Sequence, residues 1–283
     1  MNEVIPTNWI LKVENLTKVF GTSGPDTLSA TGPEFGTNQC PETDAIVACA
    51  DISFTLFPGE VLGIVGESGS GKSTVVKLLY SDLEATSGSA YFQPFEDGNT
   101  NILNLSKQKK RFIRNHLLGM VYQNPVDGLN FSFSAGGNIA EKLVMADCFH
   151  VGQIRERASY LLGKTEVPLQ RMDDYPSDFS GGMQQRVQIS KAIANSPPLV
   201  YMDEVTTGLD VSVQAKVLDL IRHLQMELKV SMIVVSHDLA VIRMLTDRTI
   251  VMKNGRIVEI GLTDQILQDP QHAYTQLLVS SLL

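Results

Sequence analysis

The sequence predicts an α/β fold whose centre is a mainly parallel sheet with helices against its faces. Three observations carry that prediction. Short apolar runs, Val61–Val65 (VLGIV), 199–202 (LVYM) and 232–235 (MIVV), have the composition of buried strands and alternate with stretches of helical spacing. Each run ends in residues fit for chemistry: a glycine-rich loop, a pair of acids, and Ser-His-Asp. Strand patterns at both ends of the chain add antiparallel pieces to this centre.

In chain order, residues 9–20 (WILKVENLTKVF) alternate apolar and polar and predict an edge strand. Residues 21–45 hold four glycines, three prolines, five threonines and four acids with no Lys or Arg, which predicts a long mobile surface loop. Residues 50–60 (ADISFTLFPGE) predict a second strand closed by a Pro-Gly turn. Between the second and third apolar runs, Val217, Ile221, Leu224 and Leu228 fall on one helical stripe, a core face without chemistry of its own. Residues 249–260 (TIVMK-NG-RIVEI) predict a hairpin around a type I′ Asn-Gly turn.

Composition narrows the function. The chain has 283 residues, 23 Lys plus Arg against 31 Asp plus Glu, and a formal charge of −8. Broad nucleic-acid binding draws on clustered cations and is not expected. No apolar run approaches the roughly 18 residues of a membrane span, and MNEVIPTNWILK lacks a signal-peptide core, so a cytoplasmic protein is expected. Cys40, Cys49 and Cys148 lack metal-ligand spacing and are expected as free thiols.

The first apolar run leads into Gly66-Glu67-Ser68-Gly69-Ser70-Gly71-Lys72-Ser73, which satisfies G-x-x-x-x-G-K-[ST] ahead of a helix-compatible run. Glycines there let backbone N–H groups turn inward as an anion nest at a helix N-terminus. Lys72 would reach the β- and γ-phosphates of a nucleotide, and the Ser73 hydroxyl would hold Mg²⁺. Asp203 and Glu204 end the second run, where acids of a parallel sheet project into the ligand crevice. Asp203 is a candidate Mg²⁺ ligand, and Glu204 a candidate to orient or deprotonate an attacking water. His237, ending the third run, is a candidate contact to the γ-phosphate. Ser180-Gly181-Gly182 opens the helical run MQQRVQISKAIA and makes a second anion-binding helix end. One nucleotide does not need two such ends in one chain, so this end is expected to face the phosphate loop of another copy.

GESGSGKST (through Thr74), FSGGMQQR, YMDE, the GLD turn at 208–210 and SHD occur in the order found in ATP-binding cassette (ABC) ATPases, and the sequence resembles that family. The resemblance implies a P-loop NTPase of ABC type: a RecA-like parallel core, an antiparallel β subdomain and a helical signature subdomain. It implies core and β subdomain over 9–124 and 197–260, with the insertion at 21–45, a helical subdomain over 125–196, and a tail at 261–283. It further implies that Gln123 contacts Mg²⁺ and the attacking water, that Asp210 communicates across a dimer, and that Phe20 stacks on adenine. Val205 stands where the family usually has proline, and Met183 replaces the usual signature glutamine.

Within the family, NPVDGLNFSFSAGGNIAEKL (124–143), TTGLDVSVQAKVLDLI and the final GLTDQILQDPQHAYTQLLVSSLL resemble the K subunits of bacterial carbon–phosphorus lyase, and next the ATPases of oligopeptide and dipeptide importers. The first resemblance implies partners among the lyase core subunits and the second a membrane permease. Both imply a second cassette, with ATP and Mg²⁺ between the two.

Overall fold

The computed structural model describes residues 8–280. Part of the N-terminal reading (residues 1–7) and the end of the tail (281–283) lie outside the described residues. The strands are β1 Leu11–Phe20, β2 Ile46–Leu56, β3 Val61–Val65, β4 Ser87–Phe92, β5 Leu118–Val121, β6 Leu199–Asp203, β7 Ser231–Val235, β8 Arg248–Lys253 and β9 Arg256–Leu262. The chain forms two compact units: the described parts of Met1–Ser106 with Ile233–Leu283, and Lys107–Met232.

In the first unit an antiparallel sheet has the order β2-β1-β4. Leu11 faces Leu56 on one side and Phe92 on the other, and Phe20 faces Ile46. β1 is therefore the middle strand, not the edge strand its alternation predicts. Alternation reports that one face is buried, here by Leu11, Val13 and Leu16, and says nothing about how many neighbours the backbone has. Beside this sheet the same unit carries, in the order β7-β3-β8-β9, three whole strands and the part of β7 from Ile233 onward. β3 runs parallel to β8, with Leu62 opposite Arg248 and Val65 opposite Val251. β9 returns antiparallel to β8 through Asn254 (φ 44°) and Gly255 (φ 77°), the two positive values a type I′ turn requires. Every residue of β3 is buried, as the unbroken apolar run predicts.

Residues 21–45, expected as a mobile loop, fold into hydrogen-bonded turns. The Thr27 hydroxyl accepts from Gly24 N–H at 2.8 Å, and the Thr31 hydroxyl donates to the Thr27 carbonyl at 2.8 Å. Gly32 N–H donates to Thr37 at 2.8 Å, Cys40 N–H to Ala45 at 2.9 Å, and Val47 N–H to Asn38 at 2.8 Å. Thr27, Thr31, Cys40 and Ala45 are buried. The composition argument fails because it weighs apolar area alone. Here threonine hydroxyls satisfy backbone groups that a loop would leave to water, so the segment folds with little apolar mass.

In the second unit β5 and β6 are parallel, with Leu118 opposite Leu199 and Val121 opposite Met202. Helices surround them: Lys107–His116, Ala135–Met145, Val151–Lys164, Gly181–Ala192 and Val211–Leu228. On the last helix Val217, Ile221 and Leu224 are buried and Leu228 half-buried, which places the predicted stripe against the core. No helix among the described residues is long and apolar enough to cross a membrane.

Candidate functional site

The phosphate loop lies in the first unit between β3 and the helix Lys72–Leu79. Gly66 (φ 150°) and Gly71 (φ 100°) have conformations that L side chains rarely adopt. A Cβ on Gly66 would lie 2.1 Å from the Met252 carbonyl, and one on Gly71 2.0 Å from the Ala48 carbonyl. Both glycines are thus required by close backbone approach, which keeps the loop tight enough for its N–H groups to converge. The Lys72 ammonium, on a side chain that is 4% exposed, donates to the carbonyls of Gly66 and Glu67, each at 2.8 Å.

His237 stands just past β7. Ser236 N–H donates to the Ile64 carbonyl at 3.1 Å, which fixes His237 at the same end of the sheet as Gly66. Asp238 accepts from Ala240 N–H at 2.8 Å and caps the next helix, leaving the exposed imidazole at the strand end. Phe20 ends β1, is 39% exposed, and has the Lys18 ammonium 4.9 Å from its ring centroid. An aromatic face open to this degree can stack on a base.

The second unit holds the candidate acids. Asp203 is the buried last residue of β6, and Glu204 follows in a left-handed conformation (φ 47°). That rare backbone turns the carboxylate away from the strand line; Val205 behind it is buried. The Gln123 side-chain amide donates to Glu204 Oε2 at 3.0 Å and the Thr207 hydroxyl to the same oxygen at 3.2 Å. Two residues 81 apart in sequence, Glu204 expected from its strand end and Gln123 from the family resemblance alone, thereby meet at one oxygen.

Ser180 caps the helix Gly181–Ala192, accepting from Met183 N–H at 3.4 Å. A Cβ on Gly182 would lie 2.5 Å from a Val213 methyl, so this helix end is held close to the helix Val211–Leu228. Asp210 caps that second helix through Val213 N–H at 3.0 Å and the Ser212 hydroxyl at 2.8 Å. These donors hold its carboxyl below the ordinary carboxylate range.

Two supporting residues escape sequence reasoning. Gln188, fully buried, exchanges hydrogen bonds with both backbone groups of Tyr122 and so fixes the chain entering Gln123. Arg171 pairs with Asp174 at 2.8 Å, lies 4.6 Å from the Phe179 ring centroid and reaches the Met183 sulfur at 3.7 Å. The methionine that departs from the family pattern is thereby engaged by a cation just ahead of the signature segment. Neither residue sits in a recognisable motif, so only the fold reveals them.

Ser73 in the first unit and Asp203 in the second are each of a donor type that Mg²⁺ accepts. Among the described residues no group of three His, Cys, Asp or Glu could hold a metal alone. Mg²⁺ takes one or two protein oxygens and completes its shell with phosphate and water, for which a hydroxyl such as Ser73 and a carboxylate such as Asp203 are the appropriate types.

A family profile described as ABC transporter matches residues 49–207. The chain is 50% identical over 234 residues, 83% of its length and 91% of the relative's, to the Escherichia coli (strain K12) phosphonates utilization ATP-binding protein PhnK. It is 37% identical over 240 residues, 85% of its length and 73% of the relative's, to the oligopeptide transport ATP-binding protein OppF of Lactococcus lactis. Among solved structures, the ATP-binding cassette MJ0796, a dimer in a post-hydrolysis state bound to ADP and Pi, superposes with a TM-score of 0.74 at 27% identity, covering 89% of this chain and 98% of the other.

Proposed function

The chain belongs to the ABC transporter family and is an ATP-hydrolysing cassette that uses Mg²⁺, and from that premise we propose that it is the ATPase subunit of a carbon–phosphorus-lyase type of phosphonate-utilisation assembly. The observation that carries this reading is the 50% identity across 91% of a relative named for phosphonates utilization, against 37% across 73% of one named for oligopeptide transport. The segment 124–143, with its own likeness to lyase K subunits, supports it.

Each residue has a place in the proposed chemistry. Backbone N–H groups of residues 66–74 and the Lys72 ammonium bind the phosphates, and Phe20 stacks on the base. Ser73 and Asp203 would hold Mg²⁺, with the Gln123 amide as a further contact, and the ion would supply charge neutralisation on the phosphates. Glu204 accepts the proton of the attacking water, oriented by Gln123, while His237 donates to the γ-phosphate. Ser180 to Met183 of a second cassette cap that γ-phosphate, with Asp210 near the shared boundary. Two chains thus close on two ATP molecules, and loss of the γ-phosphate weakens the bridge and opens them.

A surface in the second unit is suited to deliver that motion. A groove of about 760 Å³ is lined by Phe133, Ala140, Val144, Met145 and Tyr175, with Glu141 and Asp173 at its polar margin. Its lining includes Ser132, Phe133 and Ser134, within the segment 124–143 that follows Gln123. A membrane permease is the second reading, favoured by the relatives named for peptide transport.

Affinity purification of the tagged chain from cells grown on a phosphonate as sole phosphorus source tests the assignment. Co-purification with water-soluble carbon–phosphorus lyase subunits is expected. Co-purification with a membrane permease instead would replace the first reading by the second.

A further inference from the structure

The phosphate loop is held from outside by segments that the nucleotide chemistry does not use. Glu67 N–H donates to the Tyr274 hydroxyl at 3.0 Å. The Asn38 side-chain amide donates to the Gly69 carbonyl at 3.4 Å, and Gly255 N–H donates to the Ser70 carbonyl at 3.1 Å. Tyr274 comes from the helix Ala273–Ser280 and Asn38 from the insertion 21–45, all within the first unit.

Both residues are themselves fixed. Tyr274 is 4% exposed, with the Lys253 ammonium 4.7 Å from its ring centroid. The chain just before it is tied to Glu259, whose carboxylate accepts from Gln271 N–H at 2.8 Å and His272 N–H at 3.0 Å. The Asn38 carbonyl accepts from Val47 N–H at 2.8 Å, and Arg256, adjacent to Gly255, donates to the Leu28 carbonyl at 3.0 Å. The insertion therefore touches the phosphate loop directly and is tied to the hairpin that touches it next.

A planar peptide transmits such a contact. When one side of the plane is held, the group on the other side is aimed in the opposite direction. Tyr274 holds the N–H of the 66–67 peptide, and the carbonyl of that same peptide receives the Lys72 ammonium at 2.8 Å. Asn38 holds the carbonyl of the 69–70 peptide, whose N–H (Ser70) donates to the Glu67 carbonyl at 3.1 Å and closes the turn of the loop, while Gly255 aims Gly71 N–H through the Ser70 carbonyl. An anion nest works by convergence of N–H groups, so a loop fixed beforehand has less ordering left to do when triphosphate binds.

We propose that Tyr274 and Asn38 are positioning residues for triphosphate binding, acting through the phosphate-loop backbone without touching the nucleotide. The insertion thereby has a task at the ATP site. Removing either bond while keeping the fold raises the dissociation constant about fivefold, the equivalent of one net hydrogen bond. The loss falls on the phosphates, so it is the same for ATP and for inorganic tripolyphosphate.

The test uses the full-length chain with Tyr274→Phe, Asn38→Ala and Asn38→Asp, calorimetric titration with ATP and tripolyphosphate, and steady-state ATPase assays. Tyr274→Phe keeps the ring and its packing. Asn38→Asp keeps the shape but removes the donor and adds a charge repelled by phosphate, so it is expected to bind at least as weakly as Asn38→Ala. Loss of affinity for both ligands, appearing in KM with kcat moving less than twofold, supports the proposal. Unchanged affinity in Tyr274→Phe and Asn38→Ala overturns it, and so does a loss confined to ATP, or wild-type affinity in Asn38→Asp.

Discussion

The side-chain amide of Gln123 donates to Glu204 Oε2 across 3.0 Å, tying the second residue past β5 to the residue after β6. A carboxylate that accepts from an amide and from the Thr207 hydroxyl on one oxygen has its other oxygen fixed in direction. That is the requirement for a base that must meet a water along one line. Gln123→Ala is expected to lower kcat by about tenfold to a hundredfold, with ATP affinity changed less than threefold, because the orientation of the base and not the phosphate grip is lost. Steady-state ATPase kinetics beside equilibrium nucleotide binding check this split.

The two tight glycines of the phosphate loop separate from the loose one. Gly66→Ala and Gly71→Ala place a Cβ within 2.1 Å of a backbone carbonyl and are expected to abolish measurable ATP binding. Gly69→Ala meets nothing within 4 Å and adds only the strain of its φ of 83°, about 1 kcal/mol. Nucleotide titration with thermal unfolding of the three variants distinguishes steric loss from strain alone.

Lys142 gives a pH signature. Burial, reinforced by the Lys191 and Arg114 charges, pulls its ammonium down to about 7, while its nitrogen donates to the carbonyls of Arg114 at 2.6 Å and Leu118 at 2.9 Å. Between pH 7 and the ordinary lysine range the unfolded chain holds a proton that the folded chain has released. The burial penalty is therefore fully present below pH 7 and relieved as pH rises, by at most about 1.4 kcal/mol for each pH step of one. Relative to Lys142→Met, the wild type is expected to gain stability from pH 7 to pH 10. Urea unfolding of both across that range measures the difference.

Arg256 pins the insertion through the Leu28 carbonyl at 3.0 Å and an ion pair with Asp51. Arg256→Ala is expected to open residues 21–45 to limited proteolysis at least several-fold faster, with the rest of the chain protected. Mapping the first cleavage by mass spectrometry checks the location.

The thiols are expected to react in a fixed order. Burial pushes the Cys49 thiol up to about 12, so it carries almost no thiolate at pH 8. Cys148 is only half-buried. Alkylation of the native chain is expected to modify Cys148 first and Cys49 only after unfolding, as peptide mapping of partially labelled protein would show.

Much of the phosphate-binding half was legible in the sequence because its chemistry needs named residue types at short spacing. Gly66 to Ser73 follow their strand without a gap, and His237 comes two residues past the end of the strand beside it. What was not legible depends on contacts between distant residues. β1 became a central strand because β4 pairs with its second edge, which alternation cannot encode. The turns at residues 21–45 rest on hydroxyls of Thr27 and Thr31 finding backbone partners, a geometric accident of folding that composition averages away. Gln188, Arg171 and Tyr274 act by holding backbone or side chains from another element, so nothing at their own positions marks them.

If Glu204 is the base of a cassette that dimerises around ATP, Glu204→Gln separates proton transfer from everything else the residue does. Glutamine preserves shape and hydrogen bonding to Gln123 and Thr207 but cannot take a proton. With Mg²⁺ and ATP, sedimentation of this variant is expected to show a stable dimer that retains unhydrolysed ATP, with turnover reduced at least about a hundredfold. Turnover like that of the wild type, or a monomer that binds ATP without dimerising, would overturn both the base and the sandwiched nucleotide.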